Sequence, residues 1–176
     1  MPEYFFYIGA SVLIGAISFF PLILRLSESD YSISTVKDMV EILGLEFTLL
    51  IIATEFLKGI LVSIIALNFW YQWQYLAVVG LLAAVVTQQL TCRKFRIGSM
   101  AIFSGGLLIV APNVLKLFIA LWFSMLVLTR NQPISLFTSL LSLSIIVWIN
   151  KDPYYILSFS TAYMIILGLT YWHSRG

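Results

Sequence analysis

Charge is scarce in this chain. Only 10% of its 176 residues are Asp, Glu, Lys or Arg, and the net charge is +2. A balance so small and so scattered excludes a nucleic-acid surface, since no basic block exceeds Arg93-Lys94 plus Arg96. Cysteine is almost absent. Cys92 stands alone, so neither an intrachain disulfide nor a cysteine-built metal site is available. Its place beside a basic cluster is that of a helix-end residue, with acylation in a suitable host as the functional alternative. His173 is the sole histidine. There is no Walker or Rossmann glycine loop, no HExxH, no serine nucleophile elbow and no cluster of metal ligands, so neither a metal nor a cofactor is expected.

Apolar residues fill the space that charge leaves. They make up 61% of the chain, and the mean hydropathy is +0.99. The apolar runs are separated by short polar breaks, the pattern of a polytopic membrane protein, because helices satisfy their own backbone groups in lipid. The fold class expected is all-α: an integral membrane helical bundle of about seven transmembrane helices, forming a single transmembrane domain over 1–176.

Taken in order, the spans expected are about Tyr4–Leu26, Gly44–Phe69, Gln74–Thr91, Gly98–Ala111, Val114–Thr129, Ile134–Ile149 and Tyr154–Trp172. No basic segment precedes the first, which is therefore expected to be retained and not cleaved. Gly9, Ala10, Gly15, Ala16 and Ser18 give it a small-residue face for close packing. Between the first two spans lies the one sizeable polar loop. From Ser34 its Val36, Met39, Val40 and Leu43 recur at helical spacing, which predicts a short amphipathic helix. With the N-terminus outside, Arg25, Lys37, Arg93, Lys94, Arg96, Arg130 and Arg175 face the cytoplasm, against Lys116 and Lys151 opposite. The positive-inside bias thus predicts an N-out, C-in orientation.

One charged pair breaks the apolar pattern. Glu55 lies about 17 Å into a helix beginning at Gly44, near the middle of a hydrocarbon core about 30 Å thick. Lys58 follows three residues later on the same face. Each charge at such a depth costs about 2.5–3.5 kcal/mol on insertion scales, so the two are expected to face the bundle interior and pair. A structural ion pair and a substrate-facing site are the two readings.

The order of motifs resembles the bacterial acyl-phosphate-dependent glycerol-3-phosphate acyltransferases, the PlsY family. Gly15-Ala16-Ile17-Ser18-Phe19 with Pro21 looks like the family's GSIPFG, and Glu55-Phe56-Leu57-Lys58-Gly59 like its D-x-L-K-G. Phe95-Arg96-Ile97-Gly98-Ser99-Met100 falls on F-K-G-G-K-G, and Tyr171-Trp172-His173 on the closing Y-x-H-x-x-N. The resemblance implies a bacterial inner-membrane protein of phospholipid synthesis, with acyl phosphate and glycerol 3-phosphate as substrates if it is active.

The departures fall on the substrate side. No glycine occurs between Gly15 and Gly44, where the family has a G-S-G-N-x-G-x-T-N loop. The corresponding segment carries Glu28, Asp30, Asp38 and Glu41, which repel a phosphate. The family histidine of the second motif corresponds to Thr87, its proline to Leu90, its two flexible glycines to Ile97 and Met100, its second lysine to Ser99, and the closing asparagine to Gly176.

Three functions follow. The first is a non-catalytic or repurposed family member, acting as a partner of another membrane protein subunit or as a subunit that interacts with membrane lipids. The second is an acyltransferase with a reduced site: His173 as base, Arg96 and Ser99 at the phosphate, and Lys58 backed by Glu55. The third is a small transporter gated by the Glu55/Lys58 pair.

Overall fold

The computed structural model describes residues 2–17, 36–69, 74–91, 96–149, 161–163 and 165. Its elements are α1 (Pro2–Ala16), α2 (Val36–Leu43), α3 (Leu45–Phe69), α4 (Gln74–Thr91), α5 (Arg96–Val110), α6 (Pro112–Thr129) and α7 (Gln132–Ile149). Residues 161–163 and 165, within the expected last span, are also helical. No strand occurs among the described residues. Hydroxyls along the helices turn back onto their own backbone: Thr48, Thr87, Ser124, Thr138 and Ser144 each donate to the carbonyl four residues earlier. That habit suits helices in apolar surroundings, where an unmet polar group is costly.

Two helices combine the length and hydropathy needed to cross a membrane, Leu45–Asn68 and Pro112–Thr129. Four others are apolar but shorter: Glu3–Ala16, Tyr75–Thr91, Gly98–Val110 and Ile134–Ile149. Of the first expected span, Tyr4 to Ile17 is described and 18–26 lies outside the described residues. Its helix ends at Ala16 and Ile17 is already outside it, the Ile17 carbonyl being taken by Lys58.

The chain divides into two compact units, Met1–Val110 and Ala111–Gly176. In the first, α3, α4 and α5 pack on one another and α1 lies mainly on α4. Glycine makes these approaches possible. A Cβ on Gly59 would strike the Ile102 carbonyl and the Gly106 amide, and one on Gly105 the Phe56 carbonyl, so α3 and α5 meet backbone to backbone. Gly15 lies against the backbone of Ala84 in the same way.

The expected amphipathic segment is α2, whose Met39 is fully buried. It ends at Gly44, where φ is +83°, and α3 starts one residue later than expected. A left-handed residue at this elbow favours glycine, and the Gly44 carbonyl accepts from both the amide and the hydroxyl of Thr48.

Contacts fix the register of the first unit. Gln89 meets Ser99 and Leu81 lies against Gly106, so α4 and α5 are antiparallel. Tyr7 reaches both the Val62 carbonyl and Gly80, whereas the end of α1 reaches Lys58 through Ile17 and Ala84 through Gly15. Hence α3 and α4 are antiparallel too. By this register Glu55, one turn before Lys58, shares a level with the glutamines at the end of α4 and with the start of α5.

In the second unit α6 packs on α7. Pro112 occupies the first turn of α6, where its missing N–H is no loss. Arg130 closes the helix in a left-handed conformation, φ 49°, with its N–H on the Leu126 carbonyl at 2.9 Å. Asn131 then accepts from the Ser135 N–H through its backbone carbonyl and from the Ile134 N–H through its side chain, starting α7.

Candidate functional site

Four buried polar residues of the first unit, Glu55, Gln88, Gln89 and Ser99, share one level of the bundle. Glu55 is completely buried, and its Oε2 accepts from Lys58 Nζ at 2.6 Å. The Lys58 side chain is 11% exposed and also donates to the Ile17 carbonyl. A helix leaves its last carbonyls without partners, and here one ammonium serves the end of α1 while balancing a buried carboxylate on α3. The cation is therefore engaged on both sides.

Ser99 is completely buried on α5 and accepts from Gln89 Nε2 at 3.2 Å. This bond ties the last turns of α4 to the first turns of α5. Gln88, beside it, is equally buried. Gln89 Oε1 is buried and meets no donor among the described residues. The glutamines are polar groups that the motif reading passes over. Their signal in the sequence is plain: two adjacent amides in a helix, Gln74–Thr91, that is otherwise almost entirely apolar.

The residues singled out from the sequence thus separate into three groups. Glu55, Lys58 and Ser99 lie at corresponding levels of one unit. Arg96 opens α5, one turn before Ser99. His173 lies outside the described residues. No group of His, Cys, Asp and Glu among the described residues is arranged to hold a metal.

Residues 5–175 match the profile of the family described as glycerol-3-phosphate acyltransferase. The chain belongs to that family. Its fold is shared by two solved structures of PlsY, an integral membrane glycerol 3-phosphate acyltransferase. The lysophosphatidic acid form is 19% identical with a TM-score of 0.81, and the match covers 98% of this chain and 90% of that one. The glycerol 3-phosphate form is 18% identical with a TM-score of 0.80, at the same coverage. No curated protein matches the chain. The family is one of helical membrane acyltransferases of phospholipid synthesis, and the resemblance drawn from the motifs is to this same family.

Proposed function

We propose that this chain is an integral protein of the bacterial inner membrane that keeps the family's bundle but has been repurposed away from glycerol-3-phosphate acyl transfer, acting as a lipid-interacting or partner subunit. The observation that carries the reading is Ser99. Where the family motif has its second lysine, this chain has a buried hydroxyl held by Gln89. Transfer between two anionic substrates needs fixed cations and oriented donors. Lys58, at a neighbouring level, is already engaged by Glu55 and the end of α1. The acidic segment from Glu28 to Glu41 supports the same reading from the sequence. The bundle has seven spans in one domain, oriented N-out and C-in, as the basic residues indicate.

Purified protein supplied with acyl phosphate and radiolabelled glycerol 3-phosphate tests this. No turnover above background is expected. Turnover that disappears in His173→Ala or Arg96→Ala would overturn the proposal. It would favour the second reading, which family membership keeps open: acyl transfer with His173 as base and Arg96 and Ser99 at the phosphate.

A further inference from the structure

The outward side of α3 is marked at both ends. Leu50, Leu57, Leu61 and Ile64 recur on that side at helical spacing and are all exposed, and the same side carries an exposed Glu46 before them and an exposed Asn68 after them. At about 1.5 Å per residue the two polar residues lie about 33 Å apart, close to a hydrocarbon thickness of about 30 Å. Glu46 therefore marks the level at which α3 leaves the lipid core. Around that level the helix is still apolar. Leu45, Phe47 and Leu49 are 59%, 55% and 57% exposed and leave the helix in directions other than that of Leu50, so only the side of Thr48 and Ile51 is covered. The chain does not carry this surface straight on into water. Gly44, at φ +83°, turns it aside into α2, where Met39 is fully buried on one side and Glu41 is exposed on the opposite one.

We infer that this elbow seats in the headgroup layer of the bilayer: α2 lies along the membrane surface with Glu41 toward water, while Leu45, Phe47 and Leu49 sit among the lipids. The occupant is the leaflet itself, because the apolar surface at the elbow continues the side of α3 that faces lipid along the span. An amphipathic helix at the end of a span is suited to that place, its polar side hydrated and its apolar side turned from water. The inference rests on the reading of the chain as an integral membrane protein and is independent of whether acyl transfer survives. It gives the first unit a surface anchor at the end that carries Gln89 and Ser99.

The test uses the full chain in lipid nanodiscs, in a Cys92→Ser background, with single cysteines and a charged, membrane-impermeant maleimide. A thiol reacts as its thiolate, which apolar surroundings suppress. Glu41→Cys is expected to react at least tenfold faster than Leu45→Cys or Phe47→Cys, and all three alike once the chain is denatured. Leu57→Cys, halfway between Glu46 and Asn68, is expected to stay protected. If Leu45→Cys and Phe47→Cys react as fast as Glu41→Cys, or Glu41→Cys as slowly as they do, while Leu57→Cys is protected, the inference is overturned and the membrane reading stands. A reactive Leu57→Cys overturns both. Protection of Leu45→Cys that is lost when each nanodisc holds one copy would show a second copy at the elbow, which also overturns the inference. Where a cysteine variant fails to fold, the unsubstituted chain carries the test: a photoactivatable phosphatidylcholine should tag the stretch from Leu45 to Leu49, and tags confined to the span beyond it would count against the anchor.

Discussion

The two units of this chain solve helix packing in different ways. In the first, glycines bring α3 onto α5 and α1 onto α4 at backbone distance, and a charged pair is buried among the helices. In the second, α6 and α7 contain no glycine. They bury Val114, Leu115 and Phe118 on one helix and Leu136, Leu140, Leu143 and Val147 on the other. Ser139 and Ser144 of α7 are buried as well, yet each donates to a carbonyl of its own helix. Close backbone approach tolerates almost no change in shape, whereas interdigitated leucines adapt. Gly15, Glu55, Lys58 and Gly59, which resemble family motifs, belong to the stiff unit, as does Ser99, which replaces a motif lysine.

The largest test of that contrast is Lys58→Ala. It leaves Glu55 buried without its cation and removes a donor from the end of α1. Breaking a buried pair by deleting one partner costs about 3–5 kcal/mol. Thermal unfolding in detergent should show that loss as a lowered midpoint and poorer yield. The double variant Glu55→Met with Lys58→Met should recover much of it, because no lone charge then remains. A single variant as stable as the parent would mean that the pair does not hold the first unit together.

Gly59→Ala comes next. The added methyl meets the Ile102 carbonyl and the Gly106 amide, both backbone atoms that cannot rotate away. Overpacking of this kind costs about 1–3 kcal/mol. Gly105→Ala, on the facing helix, should behave alike, and the pair should couple because both substitutions widen the same crossing. Additive effects of the two would argue that α3 and α5 do not meet at this point.

Much of this architecture is legible in the sequence. The interruptions at Pro112 and at Asn131 to Pro133 mark the bounds of α6 and α7 because proline and capping side chains act locally. The amphipathic α2 follows from its periodicity, and the Glu55–Lys58 pair from its spacing. The end of α1 is legible only in part. Pro21 has no N–H for the Ile17 carbonyl four residues before it, a local signal that the span expected to Leu26 passes over. That Lys58, 41 residues away, takes this carbonyl instead cannot be read from the sequence. The Gln89–Ser99 bond escapes for the same reason. Each residue alone is an ordinary polar residue, and only the antiparallel register of α4 and α5 joins them.

In the second unit the most exposed irregularity is Arg130, a non-glycine residue at φ 49°. A left-handed conformation costs an L-residue about 1–2 kcal/mol, because Cβ crowds the following carbonyl. Arg130→Gly keeps the N–H that bonds to Leu126 and removes the crowding, so a gain of about 1 kcal/mol is expected. Chemical unfolding followed by the fluorescence of the chain's five tryptophans, Trp122 and Trp148 of α6 and α7 among them, should report it. A loss of stability would show that the arginine side chain contributes more than its backbone costs.

The smallest effect sharpens the comparison most, because it uses the same substitution as Gly59→Ala with the opposite sign. Gly9 lies in α1, and a Cβ there meets nothing within 4 Å. With no neighbour to displace, Gly9→Ala changes only the backbone term, and alanine is favoured over glycine inside a helix by about 0.5–1 kcal/mol. The variant should therefore unfold at a slightly higher temperature than the parent, while Gly59→Ala unfolds at a lower one. If Gly9→Ala is instead destabilising by as much as Gly59→Ala, something packs on the open face of α1. That surface would then be an interface, with close glycine contact extending beyond the helices of the first unit.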